Sequence, residues 1–118
     1  MTTIQQVETF LNDFKIKATI FGLFFRDARQ KNTQALFDLE LTHLKRREIV
    51  DSIVAKDYSE GPNDDQLNGS ASLWVFGKTY KKKEIYIKIS MGHENNPAIC
   101  ISFHTAEYPM NYPLNPKP

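Results

Sequence analysis

The chain has 118 residues, room for one ordinary domain with a single modest core. Its 41% apolar and 25% charged residues are those of an average soluble globular protein, and a net charge of +1 announces neither nucleic acid nor membrane. One cysteine, Cys100, excludes an internal disulfide framework and a four-thiolate zinc site, and fits a reducing cytosol.

The first residues, Met1 to Gln6, lack the basic and apolar regions of a signal peptide. Thr3-Ile4-Gln5-Gln6 has the form of a capping box, a hydroxyl followed three residues later by Gln. Ile4, Val7, Leu11 and Phe14 then recur at helical spacing and predict a helix over residues 3–15. Ile20 to Phe25 reads as a strand, apolar on both faces and therefore central or well covered. At about six residues it is far short of the roughly 20 that span a bilayer, so a soluble cytoplasmic protein is expected. Residues 27–33 are polar and turn-like. Ala35 to Leu41 alternates, Phe37, Leu39 and Leu41 against Asp38 and Glu40, and predicts a second strand, although a helix fits the same residues.

Thr42 is placed to cap a second helix whose Leu44, Ile49, Val50, Ile53 and Val54 face the core. Its first turns hold Lys45-Arg46-Arg47, the wrong sign for the positive end of a helix dipole. Cations placed where they weaken the helix hint at an anion to bind, while three solvated charges on an exposed face remain the simpler account. Residues 57–65 are acidic, contain Gly61-Pro62 and lead to Asn68-Gly69-Ser70, the composition of a surface loop. This loop hides a polarity in the chain: residues 1–50 carry +2, residues 51–70 carry −4 and residues 71–118 carry +3.

Three strands follow in quick succession, Leu73–Tyr80, Glu84–Ser90 and Ala98–His104, joined by Lys81-Lys82-Lys83 and by a turn around Gly92 and Asn95-Asn96-Pro97. Short connections imply antiparallel neighbours. The expected class is α+β: a twisted antiparallel sheet of about five strands with two helices packed on one face. Residues 1–107 form one domain in this reading. Residues 108–118, with four prolines, form an extended tail.

Side chains alternate between the faces of a strand. In Glu84–Ser90 every odd position is Ile, and in Ala98–His104 Ile99, Ile101 and Phe103 share a face. If both apolar sets meet the helices, Tyr86, Lys88, Ser102 and His104 share the other face. A simple hairpin sets Tyr86 opposite Ser102 and Glu84 opposite His104, and the preceding strand could add Trp74, Phe76, Lys78 and Tyr80 beside them. Metal-free RNA cleavage needs such groups: a base for the 2′-hydroxyl, an acid for the leaving 5′-oxygen, and cations for the phosphorane. Histidine as a residue type serves as either acid or base, and tyrosine can donate or accept. An exposed antiparallel face is ordinarily polar, however, and accounts for the same residues without chemistry. Cys100 reads as a buried small hydrophobe. The three histidines show no metal-ligand spacing, the five glycines form no phosphate loop, and Asp64-Asp65 has no matched acid partner.

The second half also resembles a family. Lys56-Asp57-Tyr58-Ser59, Leu73-Trp74-Val75, Glu84-Ile85-Tyr86-Ile87-Lys88-Ile89 and Ile101-Ser102-Phe103-His104 follow the order and spacing of the MqsR-type toxins. The resemblance implies a RelE-like fold, metal-independent endonucleolytic cleavage of mRNA, and neutralisation by a cognate DNA-binding antitoxin protein. Tyr86 matches a functional Tyr of that family, and His104 stands where it has a functional Lys. Val75 stands where it has a Gln, and Ser59 or Glu60 where it has another Lys, so Lys78 and Lys88 would have to supply the cations. The candidate catalytic residues are thus His104, Tyr86, Lys88 and Lys78, with Trp74, Lys81, Lys82, Lys83, Lys45, Arg46 and Arg47 as RNA-binding candidates. The expected partners are RNA, the antitoxin and, as an option, a second copy in a homodimer, with no metal, cofactor or membrane. The alternative reading is a non-catalytic protein- or nucleic-acid-binding regulatory module on the same sheet.

Overall fold

The computed structural model describes residues 2–64 and 71–115. The end of the expected acidic loop (65–70) and the last prolines (116–118) lie outside the described residues. Helix α1 (Ile4–Phe21) opens with the predicted capping box: Thr3 Oγ1 accepts from the Gln6 N–H at 3.2 Å, and Gln6 Oε1 accepts from the Thr3 N–H at 2.8 Å. Its buried stripe is Val7, Phe10, Leu11, Phe14 and Ala18. The helix overruns the expected end through Ile20 and Phe21 and stops at Gly22, whose φ of 91° leaves the helical path. The strand expected over 20–25 therefore shrinks to β1 (Leu23–Phe25), an edge strand rather than a central one. Its apolar run signalled burial on both faces, yet Ile20 and Phe24 are 68% and 57% exposed.

The second expected strand is helix α2 (Gln30–Asp38). Ala35 and Leu39 are buried at i and i+4 while Phe37 is 80% exposed, so the apparent alternation was part of a helical stripe. The chain leaves α2 in a Schellman-type closure: Glu40 takes φ 52°, and the Leu41 N–H donates to Leu36 O at 2.9 Å. Asn32 explains why a helix belongs here. Its amide donates to Ile101 O (2.9 Å) and its Oδ1 accepts from the Phe103 N–H (2.9 Å), completing a strand edge that β1 is too short to cover.

Thr42 caps α3 (His43–Asp51) as expected, accepting from the Lys45 N–H at 3.0 Å. Ile49, Val50 and Ile53 enter the core, but Leu44 and Val54 are exposed. A 3-10 turn (Ala55–Asp57) then leads into β2 (Tyr58–Asn63), so the start of the acidic segment is an edge strand rather than a loop. β3 (Leu73–Tyr80), β4 (Lys83–Ser90) and β5 (Ala98–Thr105) match the expected strands.

Among the described residues the fold is α+β, a five-stranded sheet ordered β1-β5-β4-β3-β2 with three α-helices. It is mixed rather than purely antiparallel, because β1 runs parallel to β5. Ile85, Ile87 and Ile89 point into the core with Trp74, Phe76, Cys100 and Phe103. Phe10 of α1 stacks on Trp74 with centroids 4.4 Å apart. A register shift between Lys88 and Ile89 places Cys100 and Phe103 inward, where Ile99, Ile101 and Phe103 were expected together. Cys100 is buried as anticipated, and burial pushes its thiol up to about 12.

Residues 106–115 form neither helix nor strand, as the prolines imply, but they are built into the fold. The Met110 N–H donates to Glu84 Oε1 (3.0 Å), the Tyr112 hydroxyl donates to Glu84 Oε2 (2.6 Å), and Leu114 packs against the core.

Candidate functional site

The outer face of the sheet, opposite the core, carries the residues that β4 and β5 direct away from the isoleucines. Tyr86 pairs with His104 and Lys88 with Ser102, a register two residues along β5 from the simple hairpin expectation. The Tyr86 and His104 rings stack with centroids 5.2 Å apart and planes 12° apart. Lys88 Nζ lies 5.9 Å from the Tyr86 ring centre. These groups line a cleft of about 400 Å³ whose walls come from Arg29, from Ser59 and Glu60 of β2, and from residues 107–111.

Arg29, at the start of α2, is the member that sequence reasoning missed. Its Nη1 donates to Ser102 Oγ at 3.0 Å and to Ile101 O at 3.4 Å, which aims the guanidinium along the cleft floor. No local signal marks it, because the loop and β5 meet only in the folded chain, 73 residues apart. Burial holds the Tyr86 phenol above its ordinary range; Glu60 adds to this and Arg29 opposes it. Tyr86 therefore stays protonated across physiological pH and is a donor. His104 Nδ1 lies 3.0 Å from Thr105 O. A carbonyl only accepts, so Nδ1 carries the proton and Nε2 keeps its lone pair in the neutral ring. No carboxylate lies within ion-pair distance of Lys88 among the described residues, whereas Lys31 pairs with Glu107 and holds its carboxyl below the ordinary range.

No family model, curated protein or solved structure matches this chain.

Several expected members lie elsewhere. Trp74 pairs with Ile89 and Lys78 with Ile85, so both project from the core face of β3, opposite to Tyr86. Trp74 is sealed under Phe10, and Lys78 forms an ion pair with Asp57 at 3.0 Å. Neither is available to the cleft; Phe76 is likewise in the core. Arg46 is not a surface cation: its side chain is 2% exposed, fork-bonded to Asp27 at 2.7 and 3.0 Å and stacked 3.8 Å from the Phe25 centroid. Arg47 is tied to Asp51 at 3.1 Å and to Ala18 O. Of that basic run only Lys45 remains exposed; its Nζ lies 6.0 Å from the Tyr80 ring centre, and that of Lys81 lies 5.6 Å from it.

Lys81 and Lys82 are the two-residue loop of the β3–β4 hairpin, with φ of 51° and 65°. This is the type I′ geometry that Asn-Gly normally fills, and each lysine there is strained. Among the described residues no helix is long and apolar enough to cross a membrane, and no group of three His, Cys, Asp or Glu is placed to hold a metal ion.

Proposed function

We propose that the outer-face cleft binds single-stranded RNA and cleaves it without a metal, as the toxin of a cytoplasmic toxin–antitoxin pair. The stacked Tyr86 and His104, flanked by Lys88 and Arg29, carry this reading. His104 Nε2 takes the proton of the 2′-hydroxyl as its oxygen bonds to phosphorus. The bond to the 5′-oxygen then breaks, and the Tyr86 phenol supplies that oxygen with a proton. The proton on the imidazolium returns through solvent to the phenolate, leaving a 2′,3′-cyclic phosphate and a 5′-hydroxyl. Lys88 and Arg29 neutralise the phosphorane oxygens. A cognate DNA-binding antitoxin and homodimer formation belong to the same proposal.

The test is incubation of purified protein with single-stranded RNA in excess chelator. Cyclic-phosphate ends are expected; intact RNA overturns the nuclease. A non-catalytic binding module is the second reading, and one observation favours it: Glu60, from the acidic segment, reaches the cleft wall and its field acts on Tyr86. RNA that binds and stays whole would select that reading.

The hairpin lysines provide a separate check. Lys81→Asn with Lys82→Gly relieves both left-handed residues and should raise unfolding free energy by about 1 kcal/mol. If these lysines track the RNA backbone, the same variant should lower the salt slope of RNA binding by up to roughly 1.4. An unchanged slope would mean that the tip is only solvated.

A further inference from the structure

The C-terminal segment is more than a surface tail. After β5 it crosses the outer face and is fastened at both ends. Lys31 holds Glu107 at one end. At the other, both carboxylate oxygens of Glu84 are used, Oε1 by the Met110 N–H and Oε2 by the Tyr112 hydroxyl. Tyr112 lies over Gly77, where any Cβ would overlap its ring and hydroxyl. The glycine is therefore a notch cut in β3 for this aromatic. Burial and the Glu84 bond both hold the Tyr112 phenol above its ordinary range, so it keeps the proton that it donates.

Between the two fastenings, Tyr108, Pro109, Met110 and Asn111 line the cleft that holds Tyr86 and His104. Tyr108 is 80% exposed there, an unusual place to leave a large aromatic ring. An aromatic face beside backbone-neutralising cations is how single-stranded nucleic acid is gripped through its bases; here Arg29 and Lys88 are those cations, in a cleft that Glu60 and Glu107 also line, and Asn111 adds an amide donor and acceptor at the same wall. Pro109 limits the conformations that the segment must give up to be held.

We propose that residues 107–111 are the nucleobase-binding wall of the cleft, with Tyr108 as the stacking face, and that the Tyr112–Glu84 clasp on the Gly77 notch holds this wall in position. The inference rests on the RNA reading above, and its test reads binding rather than cleavage. Non-cleavable 2′-O-methyl oligomers are titrated into the wild-type chain, Tyr108→Ala, Tyr108→Phe, Tyr112→Phe and Gly77→Ala. Tyr108→Ala should weaken binding about 5- to 150-fold, the range of one stacked base, and Tyr108→Phe should restore it. Tyr112 does not line the cleft, so Tyr112→Phe is the cleaner variant; Gly77 is the cross-strand partner of Tyr86, and Gly77→Ala acts by displacing the Tyr112 ring. Both should weaken binding about 10-fold and open residues 107–111 to subtilisin. An abasic oligomer should bind wild type and Tyr108→Ala alike. Wild-type binding that none of these variants changes overturns the wall; tighter binding when the clasp is opened also overturns it and makes the segment an obstruction. A wild-type chain that binds no oligomer overturns the RNA reading itself.

Discussion

Under the proposed cleavage reaction, replacing His104 by Ala should lower the rate by a factor on the order of 10² to 10⁴, the usual worth of a positioned acid or base. The half-exposed ring contributes little to the core, so the melting temperature should stay within a degree or two. Tyr86→Phe keeps the ring that stacks on His104 and removes only the proton, and its loss should be nearer the low end of that range. The two variants also differ in pH dependence. The raised Tyr86 phenol keeps its proton past the ordinary tyrosine range, so wild-type activity should hold to correspondingly high pH, and this alkaline limb should vanish in Tyr86→Phe. Cleavage rates over pH, corrected for background hydrolysis, measure both effects. An active His104→Ala protein would remove the imidazole from the mechanism.

Asp27→Ala should be the most damaging single change to stability outside the apolar core. It leaves the Arg46 guanidinium, 2% exposed, without its counter-ion. Arg46 Nε already has no partner among the described residues. Breaking a fully buried pair in this way costs roughly 3–5 kcal/mol. Asp27 itself keeps 36% of its side chain in water, which screens the pair, so a loss of about 2 kcal/mol is expected. Arg46→Met, which removes the buried charge, leaves the unpaired carboxylate on the partly exposed Asp27 and keeps an apolar contact with Phe25, should cost less, and adding it to Asp27→Ala should recover part of the loss. The Arg46 hydrogen bond, opposed by burial and helped by the Arg46 charge, holds the Asp27 carboxyl below its ordinary value. Its stabilisation is therefore complete above the unfolded-state pKa and fades as pH falls through the lowered folded value. Asp27→Ala should lack that acid-dependent part. Urea unfolding at neutral and acid pH checks both points; a change below about 0.5 kcal/mol at neutral pH would show that the pair anchors nothing.

The pair also bears on the site. It fixes the loop between β1 and α2, and that loop delivers Arg29 to the cleft floor. Destabilising variants at Asp27 should accordingly weaken RNA binding as well.

Much of this arrangement was legible before folding. The Thr3–Gln6 box and the Thr42 cap are local signals, and both helices start where those signals stand. The isoleucine alternation of β4 sorted Tyr86 and Lys88 from the core side chains without further information. Elsewhere the local pattern was ambiguous. Ala35–Leu41 satisfies period 2 and half of period 3.6, and only the strand edge that Asn32 completes favours the helix. β3 carries Trp74, Val75 and Phe76 in a row, so its inward face could not be chosen from apolarity; pairing with Ile89 and Ile87 chose it and took Trp74 and Lys78 out of the site. In Lys45-Arg46-Arg47 three like charges had three different fates: Arg47 meets Asp51 one turn on in the same helix, whereas Asp27 comes within reach of Arg46 only after α3 docks.

The net charge of +1 shows the same division. The sequence by itself determined that an acidic stretch cancels two basic segments, because charge is additive along a chain. Where those charges lie depends on pairing between distant strands, which composition does not encode. Tertiary structure turned part of the acidic stretch into β2, brought Glu60 to the cleft that Lys88 also lines, and set Arg29 and the clasped tail around Tyr86 and His104. The alternation of β4 was enough to single out Tyr86 and Lys88; the walls around them come from three separate parts of the chain and exist only once the sheet has closed its register.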